Sequence, residues 1–296
     1  MSTAGKWTKG CGCGCGALAL VLGLVSWGGY ILIRSVVENA QKAEAVMKQV
    51  HERHGEISDF VPEPDGALAP ERVEAFLRAR DLMAQARNET EGALALLSSG
   101  DSGAAQVPGL LGRLLGWGTA AMKVEAGTTL VPQAIAFVGA RGEALLEAGM
   151  GTGEYLYIYS LAYFSWLGRS PADGPGFPLV GDDEDGGQQR QGGRDEFDVR
   201  EERREMILTR LNEQLLPVLR RQLAALDASR HLAESDPWRQ QLSAEIAAME
   251  KDGFRIPWRD GLPPVIEESL APYRARLVRS YSPMCSPLEV FAGTGQ

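Results

Sequence analysis

The sequence predicts a mainly α-helical protein in which an N-terminal transmembrane helix continues into a stalk and then into an irregular multi-helix soluble domain. Three observations predict this architecture. An apolar, uncharged run lies near the N-terminus, apolar residues then recur at steps of three and four along most of the chain, and glycine- and proline-rich segments interrupt that recurrence. The hydrophobic fraction of 44% is ordinary for a globular protein, so most of the chain can bury a core.

The predicted membrane segment covers residues 11–33. No charged side chain occurs between Gly10 and Ile33. A helix rises 1.5 Å per residue, so roughly 20 residues cross the hydrocarbon of a bilayer, and this run has about that length. Trp27 and Tyr30 lie near its far end, where amphipathic rings favour the headgroup level. We therefore predict an uncleaved single-pass anchor that binds the lipid bilayer.

Two other interpretations of this segment are weaker. A cleaved signal peptide would need small residues after a shorter apolar stretch, whereas Ser26–Gly28 is a poor processing site and the run continues beyond it. A lipoprotein is disfavoured because Cys11, Cys13 and Cys15 precede the run. The three cysteines could take a lipid or a soft metal ion, but we favour a flexible spacer of small residues beside the membrane.

Charge indicates the side of the membrane and excludes one class of partner. The short N-terminal flank is purely basic, through Lys6 and Lys9, so we expect a cytoplasmic N-terminus and an extracytoplasmic domain. The formal net charge is −9, and because residues 1–33 contribute +2, the remainder carries −11. An acidic domain is repelled by phosphate backbones, so nucleic acid is not an expected partner.

Residues 34–56 form the predicted stalk. Apolar side chains recur there at helical steps, separated by Glu, Lys and Gln, which predicts an amphipathic helix continuing out of the membrane. These positions are Val36, Val37, Ala40, Ala43, Val46, Met47 and Val50. The stalk could also pair with a second copy of itself, although the pattern is too short to predict a coiled coil.

The soluble domain is predicted in two parts, separated by a loop. Residues 57–168 and 199–281 read as helices, whereas residues 169–198 are acidic and glycine-rich and have almost no hydrophobic side chains, which predicts a disordered loop. Residues 1–10 and 282–296 are assigned to a short N-terminal tail and an irregular C-terminal tail. Within the first part we predict one helix from Pro70 to Ser98, and near the C-terminus one from Pro264 to Tyr281.

Arg80 is the candidate for a buried ion pair. It falls on the apolar side of its helix, three residues after Leu77 and three before Met83. A guanidinium on a core-facing side must be paired or must extend to water, so we expect a carboxylate partner. A structural ion pair is favoured over a ligand clamp.

The most aromatic stretch of the chain begins at Tyr155. If it is helical, Tyr155, Tyr159, Tyr163 and Trp166 share one side, and its length and Ala/Leu content favour a helix. Aromatic residues with polar tips can line a pocket for a lipid or a sugar, or a surface for a partner. Such stripes are nevertheless more often part of a core, and we favour that interpretation.

Two short motifs resemble catalytic signatures but lack what the chemistry requires. Residues 100–103, Gly-Asp-Ser-Gly, match the nucleophile motif of trypsin-like serine proteases, yet the flanks are predicted to be helical, not the β-barrels of that fold. His51 and His54 lie three residues apart, whereas the zinc motif of metalloproteases needs a spacing of four. We predict no catalytic residue, no metal site and no cofactor from these patterns.

The favoured function is a membrane-tethered helical scaffold or interaction protein of the cell envelope, with a protein partner. Two alternatives stay open. One is a lipid or glycan binding module that uses the aromatic stripe. The other is an enzyme with dispersed carboxylates, because such chemistry has no local sequence signature.

Overall fold

A computed structural model of the chain describes residues 36–99, 106–107, 122–123, 127–175, 196–229 and 236–291. Over these ranges the protein is mainly helical, which confirms the predicted fold class at that level. The β-structure within them is a two-residue antiparallel pairing of β1 (Gln106–Val107) with β2 (Met122–Lys123).

Several predicted features lie outside the described residues. These are the membrane segment (11–33) with its three cysteines, the Gly-Asp-Ser-Gly motif (100–103) and most of the acidic loop (176–195). Among the helices of the described ranges, none combines the length and the apolar character that crossing a bilayer requires.

Ten helices are defined in the described part of the chain. They are α1 (described over 36–54), α2 (Pro70–Leu82), α3 (Ala84–Ser99), α4 (Gly127–Ala148), α5 (Thr152–Tyr159), α6 (Glu196–Ser229), α7 (Pro237–Lys251), α8 (Pro264–Leu270), α9 (Arg274–Ser280) and α10 (Ser286–Phe291). A π-helical segment (Ser160–Trp166) continues α5, and 3-10 turns lie at Ile57–Asp59 and Ala271–Tyr273.

Prolines and a glycine set several helix boundaries. Pro70, Pro237 and Pro264 each occupy the first position of a helix, where the missing N–H needs no partner. Gly149 ends α4 with φ of 64°, a left-handed conformation that favours glycine. The next amide, that of Met150, donates to the carbonyl of Leu145 at 2.9 Å. This turn directs the chain straight into α5.

The centre of the domain is α5 with the first part of its π-helical extension. Every residue from Thr152 to Tyr163 is buried, so this stretch has no solvent-facing side. Helices α2 and α6 pack against α5, while α2 also contacts α4 and α9, α4 contacts α3, and α6 contacts α7 and α10. A helix buried all round must satisfy the polar tips of its tyrosines inside the protein.

Helix α1 packs on the domain through its apolar side. Ala40, Ala43, Met47 and Val50 are buried and belong to the common core. Gly142 of α4 allows this close approach, because a Cβ there would lie only 2.7 Å from Val46 Cγ1, whereas one on Gly139 would make an ordinary contact of 3.6 Å with Ala43 Cβ. The helix expected to be a stalk is therefore a packed part of the domain, and the side considered for self-association is in contact with α4.

Three expectations about helix boundaries need correction. The helix predicted over Pro70–Ser98 is two helices, because the chain leaves helical geometry at Met83. The helix predicted over Pro264–Tyr281 is broken into short pieces around Pro272, which cannot donate a helical hydrogen bond. The C-terminal tail expected to be irregular contains α10, all six residues of which are buried.

Replacing Gly142 with valine should separate α1 from α4. The added side chain would overlap Val46, so we expect a loss of about 1–3 kcal/mol in the free energy of unfolding, which is typical of overpacking. Gly92→Val is the matched control, since no atom lies within 4 Å of a Cβ at this exposed helical position. Chemical unfolding followed by circular dichroism compares them, and equal stabilities would contradict the described contact.

Candidate functional site

The main polar feature of the interior is an ion pair between α2 and α10. Arg80 and Glu289 are both fully buried, and Arg80 Nη1 donates to Glu289 Oε1 at 2.9 Å. The remaining donors of the guanidinium are also used. Its Nη1 donates to Tyr155 Oη at 2.7 Å, while Nε (3.2 Å) and Nη2 donate to the carbonyl oxygen of Ser280. The structure thus places on Arg80 the carboxylate that its sequence position demands.

The four aromatic residues singled out in the sequence do not share one environment. Tyr155, Tyr159 and Tyr163 are fully buried, whereas Trp166 is partly exposed at the end of the π-helical segment. There Trp166 Nε1 donates to Glu267 Oε1 at 3.2 Å and Arg274 lies over the indole ring. Since the three tyrosines are part of the core, the stripe offers no continuous open surface to a lipid or sugar.

Each of these tyrosines has a hydrogen-bond partner at its hydroxyl. Tyr155 donates to Glu289 Oε2 at 2.7 Å. Tyr159 donates to Ser286 Oγ at 3.2 Å, and the hydroxyls of Tyr163 and Ser280 lie 2.7 Å apart. The tyrosine tips therefore reach α9 and α10, so that the central helix is joined to the C-terminal helices by polar contacts inside the core.

Aromatic faces help to hold the positive charge in this interior. The guanidinium of Arg80 lies 5.3 Å from the Tyr159 ring centroid and 5.0 Å from that of Tyr163. Arg141 of α4, also fully buried, lies 4.9 Å from the Tyr155 centroid. Cation–π contacts of this kind contribute about 2 kcal/mol when desolvated. Two guanidiniums and one carboxylate thus coexist in a region lined by tyrosine rings.

Burial and charge shift the pKa values of these groups in a consistent way. For Arg80, burial opposes the charge, but Tyr155, Tyr163 and Glu289 outweigh it, so its pKa is raised well above the ordinary value. Burial is also the first cause of the raised pKa values of Tyr155 and Tyr159. At neutral pH the site therefore contains a charged Arg80 and protonated tyrosines.

The other two buried glutamates are paired with arginine as well. Arg72 Nε donates to Glu154 Oε1 at 2.6 Å, and Arg255 grips Glu245 with two bonds of 2.9 and 2.8 Å. Every buried carboxylate of the described residues thus faces a guanidinium. Such pairing is typical of structural ion pairs and removes the carboxyl groups from general acid–base use.

The Glu245 pair fixes a loop after α7. Glu245 Oε1 also accepts the amide of Trp258 at 2.9 Å, and Trp258 has φ of 59°, a strained value for a bulky residue. Asn212 of α6 donates to the carbonyls of Met249 and Arg255 at 3.1 and 2.8 Å, which caps α7 and the start of the loop. These contacts explain the conformation of the loop, including the positive φ of Trp258, as part of the fold.

A charged groove is present on the surface of the described structure. It has a volume of about 750 Å³ and lies on the outer side of α2, next to α9 and the end of α4. Its lining consists of Glu71, Arg72, Glu74, Ala75, Arg78, Asp81, Ala148 and Arg276. Most of these side chains are charged and both signs are present, which is unlike the mostly apolar lining of a small-molecule pocket.

The arginines of the groove differ in how they are held. Arg276 pairs with Glu74 at 2.6 Å and reaches Asp81 at 3.5 Å. Arg78 instead donates through Nη2 to the carbonyl oxygen of Ala148 at 3.2 Å and more weakly to that of Glu147.

The described residues contain neither a group of metal ligands nor a reactive thiol. No group of three His, Cys, Asp or Glu side chains there is placed to hold a metal ion. Cys285 is buried, and burial raises the pKa of its thiol to about 12, so the nucleophilic thiolate is absent at neutral pH. His51 and His54 lie at the end of α1 and belong to no such group among the described residues.

Two participants in the buried cluster were not identified from the sequence. Glu289 lies between Leu288 and Val290 in the segment assigned to an irregular tail, and Arg141 lies in a glycine-rich apolar stretch. Their burial with a partner could have been expected, because a charged residue in a mainly apolar helical stretch has to be paired inside the protein. Their partners were not predictable, since the groups meet only after folding.

No family model, no curated protein and no solved structure matches this chain. The site is therefore interpreted from its own geometry and chemistry.

Replacing Arg80 with methionine should destabilise the protein strongly. The change leaves Glu289 buried without its cation, and breaking a buried pair in this way costs about 3–5 kcal/mol. Urea unfolding measures the loss. Arg276→Met breaks an exposed pair and should cost less than about 1 kcal/mol; a similarly small cost for Arg80→Met would contradict the buried pair.

Alkaline pH should unfold the domain in a single transition with tyrosine ionisation. Burial raises the pKa of Tyr155, Tyr157, Tyr159, Tyr163 and Tyr281 above the ordinary value of about 10. For groups raised on folding, the stability is present below pH 10 and is lost as pH rises. Phenolate absorbance and circular dichroism, recorded together, should change at the same pH. Ionisation of these tyrosines while the helical signal is intact would contradict their burial.

Proposed function

We propose that this chain is a membrane-tethered helical scaffold or interaction protein of the cell envelope. The uncharged apolar run supports the tether, because its length matches a bilayer span. The basic N-terminal flank supports a cytoplasmic N-terminus and an extracytoplasmic domain. In this arrangement the bilayer is one partner and a protein is the other.

The observation that carries the proposal is the packing of α1. This helix follows the apolar run along the chain, and its buried side is part of the domain core through Ala43, Met47 and Val50. A membrane helix continuous with α1 would hold the domain directly beside the bilayer, because α1 is fixed on α4 at Gly139 and Gly142. The tether would then set the position and orientation of the domain, as expected of a scaffold.

The interior supports a structural role over the two alternatives. The buried tyrosines are engaged by α9 and α10, which disfavours a lipid or glycan site on the aromatic stripe. Glu154, Glu245 and Glu289 are each paired with an arginine, which disfavours an enzyme that uses dispersed carboxylates. The mixed-charge groove on α2 and α9 is the surface that we assign to a protein partner.

An arginine placed in the middle of the apolar run should abolish membrane attachment. Leu22→Arg would cost about 2.5–3.5 kcal/mol at the centre of a membrane helix. We expect the variant to leave the membrane fraction, or to be degraded, while Thr8→Arg, which lies before the run, stays membrane-bound. Flotation and an alkaline wash of membranes measure this. Full retention of the Leu22 variant would contradict the tether.

A photo-crosslinkable residue at position 78 should capture a protein partner in intact membranes. The same residue at position 204, an exposed arginine of α6, is the control. We expect one specific adduct from position 78, the same adduct from position 71 on the groove, and none from position 204. The adduct should be lost when Asp81→Lys and Glu74→Lys replace two of the three acidic side chains of the groove by basic ones. Identical adducts from positions 78 and 204 would contradict the assigned surface.

A further inference from the structure

Two of the three histidines of the chain lie at one junction in the domain. His51 and His54 occupy the last turn of α1, where α1 meets the start of α5. A histidine side chain can change charge near neutral pH, because its unperturbed pKa is about 6.5. A charge on His54 would lie at the carboxyl end of α1, where this helix contacts the residue before α5.

His54 fits tightly against the amino end of α5. A Cβ placed on Gly151, the residue before α5, would lie only 2.8 Å from His54 Cβ. The Nε2 atom of His54 is buried and has no hydrogen-bond partner in the described residues. A neutral imidazole tolerates this, because its unprotonated nitrogen is only an acceptor. An imidazolium would place a charged N–H donor at this buried atom without an acceptor, which carries a desolvation cost.

We propose that the contact between the carboxyl end of α1 and the amino end of α5 is a pH-sensitive joint, and that protonation of His54 loosens α1 from the domain. The neutral state is the docked state. Acidification shifts the population towards a state in which the imidazolium reaches water, because protonation stabilises only that exposed form.

The charges around His54 come from three elements. Arg53 of α1 and Arg72 of α2 oppose a proton on His54, and Glu154 of α5 favours it. Glu154 is already engaged by Arg72, which limits what it can offer His54. The first amides of α5 also present the positive end of a helix dipole, whereas the last carbonyls of α1 present a negative end.

His51 differs from His54 in having a carboxylate close by. Its Nδ1 lies 3.9 Å from Glu56 Oε1, while its Nε2 is buried without a hydrogen-bond partner among the described residues. Lys48, Glu52 and Arg53 are the other charged groups on this end of α1, and Lys48 pairs with Glu52 at 3.8 Å. His54 has no carboxylate at such a distance that is not already paired, so His54 is the residue on which the joint depends.

The direction of the pKa shift agrees with this geometry. Burial, followed by the charge of Arg53, lowers the pKa of His54 below 6.5. For a group whose pKa is lowered on docking, the docked state is fully stable above the undocked pKa and loses stability as pH falls towards the docked pKa. Each pKa unit of lowering corresponds to a tenfold change in the docking equilibrium. The joint should therefore be closed at pH 7.5 and should open progressively below pH 6.5.

Hydrogen exchange on the detergent-solubilised full chain tests the joint. Exchange of the α1 amides is followed by mass spectrometry between pH 7.5 and 5, corrected for the intrinsic pH dependence of amide exchange. In the unmodified chain, the corrected exchange rate of the α1 amides should rise between pH 7.5 and 5, by up to tenfold for each unit by which docking lowers the pKa of His54. The rates of the α6 and α7 amides should not change. His54→Gln, which cannot titrate, should remove this response, and His231→Gln should keep it. An α1 without pH response, or a response that survives His54→Gln, would overturn the proposal.

A second measurement decides the case in which His54→Gln already undocks α1. The imidazole resonances of histidine-labelled chain are titrated by NMR, and with only three histidines the resonances can be assigned by single substitutions. The proposal requires a His54 pKa below 6.5; a value at or above 6.5 would overturn it. Neither experiment depends on a protein partner, so their failure is distinguishable from failure of the proposed scaffold function.

Discussion

The structure depends on the burial of one positive charge. Arg80 has no access to solvent, and a guanidinium in that position is tolerated only if its donors are satisfied and its charge is balanced. The acceptors of its hydrogen bonds lie on α5, α9 and α10, and not on its own helix, α2. These three elements are consequently held at fixed distances around the side chain, and the last helix of the chain is drawn into the core instead of fraying at the surface.

The tyrosines extend this constraint along the central helix. An apolar helix of the same size could occupy the core in several rotations, because hydrophobic contacts have little directionality. Hydroxyl groups on Tyr155, Tyr159 and Tyr163 each have a partner on α9 or α10, and a rotation of α5 about its axis would break these contacts. Replacing a buried ionic cluster by hydrophobic residues of similar volume is often neutral or stabilising, so we interpret its contribution as specifying one arrangement.

The sequence was informative where the signal is local. Helical periodicity and helix-starting prolines predicted the mainly helical fold, and the predicted helix starts at Pro70 and Pro264 are those of the structure. Pro272 lies inside the stretch predicted as one helix over Pro264–Tyr281, and a proline at this position already indicates that the helix is interrupted there. The position of Arg80 on an apolar side predicted that a carboxylate was needed, but not which one, since Glu289 is 209 residues away. Helix α10 was missed because six residues are too few for periodicity to be recognised.

Two contacts in the core bear on the proposed function. In the proposed arrangement, the domain keeps a defined position relative to the membrane segment only if the connecting helix is fixed on the domain. Helix α1 is fixed by close contact with Gly142 of α4, and α10 by its ion pair with α2. If α1 were mobile, the proposed tether would act as a flexible linker, and the charged groove would have no fixed orientation to the bilayer.

Hydrogen exchange of the α10 amides tests whether Arg80 holds this helix in the core. If the pair with Glu289 holds α10, the slowly exchanging amides of Leu288 to Phe291 should open with the same free energy as the α5 amides, which is the free energy of global unfolding. Exchange of α10 by local fraying, at a small fraction of that free energy, would show that Arg80 and Glu289 do not hold it.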